Sequence, residues 1–228
     1  MHPINVMVNG IPGNVAGTVA RHVRADARFE LLPFSLTGPE IAQAEAAVEG
    51  RAVRLIRPEQ REAAITEIRE QYGRFLSVDY THPAAVNANA EFYCRERLPF
   101  VMGTTGGDRH HIEQTVRGSD IAAVVAPNMA KQIVGFQAMM EYAADTFPGL
   151  FQGYTLEIRE SHQRAKADTS GTAKAMVRYF NRLGVPFSEE QIAMERDPQV
   201  QSSRWGVPEA YLTGHGWHTY TLVSADKT

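Results

Sequence analysis

Residues 4–17 read INVMVNGIPGNVAG, and this stretch decides the fold of the N-terminal half of the chain. Residues 4–10 are a short, largely β-branched run that ends in a glycine. After Gly13, apolar residues recur at the spacing of a helix face, at Val15, Val19 and Val23. The stretch therefore predicts a strand, a glycine-rich turn and a helix, in that order.

The pattern continues outward from this unit as alternating strands and helices. Further strand candidates are Phe29 to Leu36, Ala52 to Ile56, Phe75 to Tyr80, Pro99 to Thr105 and Ile121 to Ala126. Helical segments lie between them, at Pro58 to Tyr72, Ala84 to Arg97 and Asp108 to Arg117. Alternation of this kind, without hairpin signals, predicts an α/β fold with a doubly wound, Rossmann-type parallel sheet in a domain of residues 1–128.

The pattern changes after residue 128, which predicts a second domain over residues 129–228. Its segments are a long helix from Ala130 to Phe147, an extended run from Tyr154 to Ser161, a helix from Thr172 to Leu183 and an extended run from His218 to Ser224. This order is typical of an α+β domain with its own sheet.

The composition excludes several classes of protein. The chain has 228 residues, 43% of them hydrophobic, and a net charge of -3 without a basic stripe, so nucleic acid is not an expected partner. Its apolar runs are far shorter than a membrane span and no leader segment is visible, so we expect a cytoplasmic protein without membrane contact. The single cysteine, Cys94, excludes an internal disulfide framework.

No metal site is expected from the histidine and cysteine spacing. His110 and His111 lack a third ligand nearby in the sequence, so we interpret them as a surface pair. The segment from His215 to His218 could bind a metal, but a turn that leads into the last strand is the preferred interpretation.

The turn after the first strand is the first candidate binding site. A turn between a strand and a helix can place backbone N–H groups and the positive helix end against a pyrophosphate. The spacing G-x-x-G-x-x-A differs from the usual G-x-G-x-x-G, and a turn that merely needs positive φ is the alternative. The candidate nucleotide contacts are Gly10, Ile11, Pro12, Gly13, Asn14 and Val15.

The end of the second strand candidate, at Ser35, bears on the choice of nucleotide. A carboxylate at this place usually binds the ribose hydroxyls of NAD, and an arginine nearby usually holds the 2′-phosphate of NADP. Neither stands next to Ser35 in the sequence. We therefore expect Ser35 to contact the cofactor and expect the site to accept NADPH or NADH with little discrimination.

Two further loops follow strand candidates at the edge where open α/β sheets bind ligands. Their small and hydroxyl-bearing residues would allow a nicotinamide ribose to lie against the backbone, although such strings are often ordinary loops. The candidate contacts in these loops are Gly103, Thr104, Thr105, Ala126, Pro127 and Asn128.

The segment from Glu160 to Ala175 combines three chemical features. Ser170 is a good N-cap for a helix that begins at Gly171 or Thr172, so the helix start can bind a carboxylate. Lys166 stands four residues before Ser170, and His162 stands four residues before Lys166. The segment offers an anion site, a cation and an imidazole that exchanges protons near neutral pH. A capped helix behind a solvated basic loop is the alternative.

Five motifs occur in one order between about residue 4 and residue 223: the first turn, Val78 to Pro83, Gly103 to Gly106, Ala126 to Asn128 and His162 to Thr172. Together they resemble the dihydrodipicolinate (4-hydroxytetrahydrodipicolinate) reductase family of lysine and diaminopimelate biosynthesis, and in particular its plant-type branch. The resemblance implies reduction of this cyclic dicarboxylate to tetrahydrodipicolinate with NADPH or NADH. It also implies a homotetramer that assembles through the sheets of the second domain.

The resemblance also implies roles for individual residues. His162 matches the histidine that exchanges a proton with the substrate, and Lys166 matches the lysine proton donor. Ser170, Gly171 and Thr172 match the cradle for a substrate carboxylate. Gln163 stands where many bacterial members have a second histidine, so this substrate contact differs from theirs.

Two other functions stay open at this point. The same site could reduce another cyclic imine or unsaturated acid, which Gln163 would permit. Family members normally continue beyond the strand at His218 to Ser224, whereas this sequence ends at Thr228. A nucleotide-binding homologue without turnover is therefore the third possibility.

Overall fold

The computed structural model describes residues 2–126, 128–164 and 169–226. The chain divides into two compact units, Met1–Pro127 and Asn128–Thr228. Within the described residues, the helices are too short or too polar to cross a lipid bilayer.

The first unit contains a five-stranded parallel sheet with the order β2-β1-β6-β7-β8. The strands of the unit are β1 (Ile4–Asn9), β2 (Phe29–Leu31), β3 (Phe34–Leu36), β4 (Glu45–Val48), β5 (Arg51–Ile56), β6 (Leu76–Asp79), β7 (Phe100–Met102) and β8 (Ala123–Val125). The order reverses between β1 and β6, which is the switch point where doubly wound sheets bind ligands.

The helices of this unit cover both faces of the sheet. They are α1 (Asn14–Ala25), α2 (Arg61–Tyr72), α3 (Val86–Arg95) and α4 (Arg109–Arg117). Alternate residues of β1 enter separate apolar cores, Met7 on one face and Val6 with Val8 on the other. The predicted doubly wound Rossmann-type architecture is therefore confirmed.

The second strand candidate does not form one strand, and this part of the prediction was wrong. Leu32 still donates its N–H to Val6 in the main sheet, whereas the Pro33 carbonyl accepts the N–H of Arg54. Proline has no N–H to continue the first ladder, so the chain changes partners there. β2 joins the main sheet, and β3 joins a small sheet of order β3-β5-β4.

The small sheet contains a hairpin that the sequence analysis missed. β4 and β5 pair antiparallel, and the residues between them, Glu49 and Gly50, have φ angles of 48° and 77°. Two positive φ angles are the signature of the turn that suits a tight hairpin. The turn is Glu-Gly and lacks the usual Asn-Gly or Asp-Gly signal. Because glutamate rarely adopts a positive φ, the sequence did not predict this hairpin.

The second unit has an α+β architecture, as predicted. Its elements are α5 (Lys131–Thr146), β9 (Thr155–His162), α6 (Gly171–Arg182), β10 (Ala193–Glu195), α7 (Pro198–Trp205) and β11 (Gly216–Val223). β9 is the central strand, with β10 parallel on one side and β11 antiparallel on the other. Ile158 of β9 packs with Met176 and Phe180 of α6 in the core.

Candidate functional site

The turn after β1 requires glycine at two positions. Gly10 has a φ of 101°, and a Cβ atom there would overlap the carbonyl of Tyr80. A Cβ atom on Gly13 would lie 2.8 Å from the Gly10 carbonyl oxygen. Gly10 therefore has the positive φ that was considered from the sequence, and the turn also packs closely against the residue that follows β6.

The helix that follows this turn begins without a side-chain cap. Gly13 is the N-cap of α1, and no acidic residue lies in the first turn of the helix. The first N–H groups of a helix carry the positive end of its dipole and have no partners within the helix. The start of α1 can therefore bind an anion such as a pyrophosphate.

Ser35 holds the backbone of this turn by a hydrogen bond. It is fully buried, and its hydroxyl accepts a hydrogen bond from the Ile11 N–H at 3.1 Å. The neighbouring Leu36 carbonyl accepts the Gly10 N–H at 2.9 Å. The structure thus places Ser35 behind the turn, in contact with its backbone.

A cleft of about 550 Å³ opens at the carboxyl ends of β1 and β6. It is lined by Gly10, Pro12 and Gly13 of the turn, by residues 36–41 and by residues 80–82. A largely apolar cleft of this size with a few polar groups is typical of a small-molecule site. Its position at the switch point is where a dinucleotide binds in this type of sheet.

Two charged side chains line this cleft that the sequence analysis did not identify. Glu40 lies against Gly38, and Arg61 at the start of α2 places its guanidinium over the Phe92 ring, 4.3 Å from the ring centroid. The strand end at Ser35 itself carries neither a carboxylate nor an arginine, but the cleft contains one of each. Glu40 follows Ser35 by five residues, whereas the β4–β5 hairpin separates Arg61 from Ser35 in the sequence.

A buried carboxylate organises the ends of the neighbouring strands. Asp79 is fully buried at the end of β6. Its Oδ1 accepts hydrogen bonds from the Thr81 hydroxyl and the Thr104 hydroxyl at 2.8 and 2.7 Å. Its Oδ2 accepts from Asn89 at 3.0 Å and from Tyr93 at 2.7 Å. The network fixes the loops after β6 and β7 at the edge of the sheet that carries the cleft.

The predicted nucleotide contacts in the loops after β7 and β8 differ in their surroundings. Gly103 follows β7, and a Cβ atom there would overlap the Tyr80 ring. Thr104 is buried in the Asp79 network, and Thr105 is half-buried beside it. Ala126 follows β8 and donates its N–H to the Met102 carbonyl, whereas Pro127 lies outside the described residues.

Asn128 belongs to the second unit. Its side-chain amide donates to the Thr172 hydroxyl at 3.0 Å, and its Oδ1 accepts the Ala130 N–H at 2.9 Å. The structure therefore brings Asn128 to the start of α6, beside the predicted carboxylate cradle.

The start of α6 has the predicted capped geometry. Ser170 is the N-cap, and its hydroxyl accepts the Thr172 N–H at 3.2 Å. The Ser170 N–H donates to the Glu160 carboxylate of β9 at 2.8 Å. Gly171 and Thr172 form the first turn, so the helix start has the form expected of an anion site.

His162, at the end of β9, lies in a cluster of polar side chains. Its Nδ1 is 3.6 Å from Oε2 of Glu160, and its ring centroid is 5.2 Å from that of His218. His218 lies opposite Glu160 in the β9–β11 register, with its Nε2 3.9 Å from Oε2 of Glu160. Arg196 pairs with the other oxygen of Glu160 at 2.6 Å.

This cluster is better explained by charge pairing than by metal binding. Nitrogen atoms of His162 and His218 and an oxygen of Glu160 lie within 4.8 Å of one another, which a metal ion could bridge. However, one carboxylate oxygen is paired with the Arg196 guanidinium and the other accepts the Ser170 N–H. A metal cation there would face the guanidinium at short range, which is unfavourable in a buried site.

The C-terminal histidines have separate roles in the structure. His215 is in the turn before β11, as predicted, and its Nε2 is 2.8 Å from the Ser161 hydroxyl. His218 is within β11, where an extended run was predicted, but its place in the cluster was not predicted. Pairing of β11 with β9 decides this placement, and the sequence of β11 carries no signal for its partner.

The remaining predicted site residues follow His162 in the sequence. Gln163 is half-buried next to His162. Lys166, the predicted proton donor, lies outside the described residues.

The fold and these sites define the class of the protein. The first unit is a Rossmann-type sheet with a glycine-rich turn after its first strand, and the second is an α+β unit with a buried histidine cluster. This is the organisation of a two-domain α/β protein with a nucleotide-binding fold. The family described as "Dihydrodipicolinate reductase, N-terminus" matches residues 4–129, and "Dihydrodipicolinate reductase, C-terminus" matches residues 133–218. The chain belongs to the dihydrodipicolinate reductase family, which confirms the resemblance seen in the sequence.

Plant proteins are among the most similar relatives. "Probable 4-hydroxy-tetrahydrodipicolinate reductase 1, chloroplastic" of Oryza sativa subsp. japonica is 43% identical over 100% of this chain and 66% of its own length. "4-hydroxy-tetrahydrodipicolinate reductase 2, chloroplastic" of Arabidopsis thaliana is 44% identical over 99% of this chain and 64% of its own length. The chain thus spans slightly less than two thirds of these relatives. Their chloroplastic names contradict the expectation of a cytoplasmic protein, which was wrong.

A solved structure supports the fold. "Dipicolinate bound Dihydrodipicolinate reductase from Paenisporosarcina sp. TG-14" matches with a TM-score of 0.60 over 96% of this chain and 87% of that chain, at 19% identity. At this level of identity the similarity concerns the fold alone.

Proposed function

We propose that the protein catalyses the reduction of 4-hydroxytetrahydrodipicolinate to tetrahydrodipicolinate with a nicotinamide nucleotide, the activity for which its plant relatives are named. One observation carries this proposal: Glu160 bonds the capped start of α6 and lies 3.6 Å from the His162 imidazole. A group that exchanges protons and a cradle for a carboxylate thus occur together, as reduction of a cyclic dicarboxylate requires.

The residues of the second unit bind and protonate the substrate in this proposal. Ser170, Gly171 and Thr172 hold a substrate carboxylate at the positive end of α6. His162 and Lys166 supply the proton that accompanies reduction, and Gln163 contacts the substrate beside them. The bound nicotinamide supplies the hydride. The His162 side chain is only 12% exposed, which limits access of water to this proton transfer.

The residues of the first unit hold the nucleotide in this proposal. The backbone of residues 10–15 at the start of α1 would hold the pyrophosphate, because the glycines allow close approach there. Gly103, Thr104, Thr105 and Ala126 contact the nicotinamide end at the edge of β7 and β8. Asn128, which bonds Thr172, contributes to the substrate cradle.

The charged residues of the cleft decide the choice between NADPH and NADH. Arg61 can pair with the 2′-phosphate of NADPH, and Glu40 can accept a hydrogen bond from the 2′-hydroxyl of NADH. Arg61 favours NADPH and Glu40 favours NADH, so the two side chains act against each other in the choice of nucleotide. We therefore propose that the protein uses both nucleotides.

Oxidation of NADPH and of NADH in the presence of freshly generated 4-hydroxytetrahydrodipicolinate tests the activity. Rapid turnover supports the proposal. Turnover with other cyclic imines alone, or binding of nucleotide without turnover, would contradict it.

The second unit is also the proposed site of self-association. Its sheet ends in β11, an edge strand, and its helix α5 exposes large apolar side chains. We propose that the protein forms a homo-oligomer, and the family resemblance implies that this oligomer is a tetramer.

A further inference from the structure

Glu160 is a buried carboxylate that neither binds nor protonates the substrate in the reaction proposed above. It lies within β9 and is fully buried, between a guanidinium and a helix start. Arg196 donates to its Oε1 at 2.6 Å, and the Ser170 N–H donates to its Oε2 at 2.8 Å. A charge is rarely buried without such partners, so its position is closely determined.

The Oε2 atom of Glu160 faces three groups at once. Besides the Ser170 N–H, it lies 3.6 Å from Nδ1 of His162 and 3.9 Å from Nε2 of His218. A carboxylate at this distance orients an imidazole and favours its protonated form. The same oxygen therefore connects the start of α6 with the histidine that we propose to exchange protons.

We propose that Glu160 is a positioning residue that couples the His162 imidazole to the anion-binding start of α6, and that Arg196 sets the strength of this coupling. The inference rests on the proposed function for the identity of the substrate. The coupling itself is a property of the nucleotide-free and substrate-free protein, so it can be measured separately.

The charges that surround His162 determine the expected direction of each change. Glu160 comes from its own strand, Arg196 follows β10, and Arg164 is exposed on the loop after β9. From β11, Tyr220 lies next to His218, and burial, followed by the Glu160 charge, raises the pKa of Tyr220 to about 12, so this phenol stays neutral at physiological pH. Lys166 and Asp168 lie outside the described residues.

Opposite substitutions at the two ends of the ion pair separate positioning from a merely structural role. Glu160→Gln keeps an oxygen for the Ser170 N–H but removes the negative charge, so the pKa of His162 should fall by about one pH unit. Arg196→Gln removes the charge that competes for Glu160, so the same pKa should rise. Arg196→Lys keeps a positive charge and should restore a value near that of the unmodified protein.

The measurement is an NMR titration of the histidine side chains in the full chain, without nucleotide or substrate and with EDTA present to remove metal ions. Substitution of His162 by Gln assigns its resonance. Glu157→Gln is the matched control, because Glu157 is on the same strand but exposed and 3.8 Å from Arg159. This control should leave the titration unchanged.

Shifts of His162 in opposite directions in Glu160→Gln and Arg196→Gln support the proposal. Shifts in the same direction, or no shift in either, overturn it. If Glu160→Gln does not fold, the comparison of Arg196→Gln with Arg196→Lys still decides, since an unshifted Arg196→Gln overturns the proposal.

The activity assay then adds a second readout. With wild-type turnover established, Glu160→Gln should lower kcat/KM by at least about tenfold, while the dissociation constant of NADPH stays unchanged. Absence of turnover in the wild-type protein would contradict the proposed function and would leave the titration result intact.

Discussion

At the scale of single residues, Asp79 decides how the edge of the nucleotide-binding sheet is built. Its carboxylate accepts hydrogen bonds from Thr81, Asn89, Tyr93 and Thr104 and is fully buried. Burial, followed by the Asp79 charge, raises the pKa of Tyr93 well above its ordinary value, so the phenol remains a donor to the carboxylate. The carboxylate is satisfied by short, charge-assisted hydrogen bonds.

Asp79→Asn should therefore lower the free energy of unfolding by about 3 kcal/mol, because the amide presents a donor to groups that also donate. Tyr93→Phe removes one hydroxyl and should cost about 1 to 2 kcal/mol. Urea unfolding of the full chain measures both, and Thr115→Val, which alters an exposed hydroxyl bonded to the His111 carbonyl, is the control. An Asp79→Asn protein as stable as this control would show that the network contributes little.

Arg61 and Glu40 should have opposite effects on nucleotide choice. Arg61→Gln should weaken NADPH binding by about tenfold to 100-fold with little change for NADH, since a charged hydrogen bond to phosphate is worth about 1.5 to 3 kcal/mol. Glu40→Gln should weaken NADH and strengthen NADPH. We expect the wild-type preference to be below about 100-fold, which corresponds to about 2.7 kcal/mol.

Fluorescence titration with each nucleotide measures these preferences. Arg54→Gln is the control for charge, because Arg54 is exposed and pairs with Glu67 at 3.1 Å, and the cleft does not include it. Equal loss of both nucleotides in Arg61→Gln would contradict a role in recognising the phosphate.

His162 and Lys166 should affect turnover much more than nucleotide binding. His162→Gln and Lys166→Ala should each lower kcat by at least about 100-fold, the contribution of a positioned acid or base, and leave the NADPH dissociation constant nearly unchanged. Lys174→Ala is the matched control, because Lys174 is a partly exposed lysine of α6 that pairs with Glu189 at 3.1 Å. Wild-type kcat in both site variants would reject the assignment.

At the scale of the elements, the junction of β1 and α1 connects backbone geometry to binding. Gly10 and Gly13 have no room for a Cβ atom, whereas Gly17 within α1 has open space around its Cα. The three glycines lie close together in the sequence, at intervals of three and four residues, but the structure shows no steric need for glycine at the third position. Substitution by alanine should distinguish them.

Gly10→Ala and Gly13→Ala should reduce stability and nucleotide binding, because the added methyl group displaces the turn from β6. Gly17→Ala should instead stabilise the protein by about 0.5 to 1 kcal/mol, since alanine favours a helix interior. Thermal unfolding and nucleotide titration of the three variants provide the comparison. Similar behaviour of Gly13→Ala and Gly17→Ala would contradict the steric argument.

The elements also indicate what could be predicted from the sequence. Strands and helices with a clear period, such as β1, α1 and α6, are predicted to within a few residues. Short elements that depend on tertiary pairing were missed. The turn after β4 has Glu49 where a hairpin turn usually has asparagine, and β10 has only three residues. Asp197 and Pro198, by contrast, are a visible start signal for α7.

At the scale of the whole molecule, the geometry of the proposed sites was predictable where it is local in the sequence. The capped start of α6 and the glycine turn occupy single stretches of sequence, and the structure places them as expected. His218 and Arg196 reach their cluster through pairing of β11 and β10 with β9, and Arg61 reaches the cleft from the start of α2, far along the chain from the glycine turn. A single sequence contains no pairing information for them, so sequence analysis could not assign these residues.

Assembly is the remaining prediction at this scale. Helix α5 exposes Met139 and Tyr142, which are 63% and 67% accessible, and Phe136 lies three residues before Met139 on the same side. Soluble monomers rarely expose a cluster of large apolar residues on one helix face. We therefore expect the chain to self-associate through the second unit and to be larger than a monomer at micromolar concentration.

Tyr142→Glu should shift the protein toward the monomer, because burial of an unpaired carboxylate in an apolar interface is unfavourable. Tyr211→Glu is the matched control: the same change at a tyrosine that is 61% exposed and lies outside α5. Light scattering of the wild-type protein and both variants measures the molar mass. A monomeric wild-type protein would reject assembly through the second unit, and equal dissociation of both variants would reject α5 as its surface.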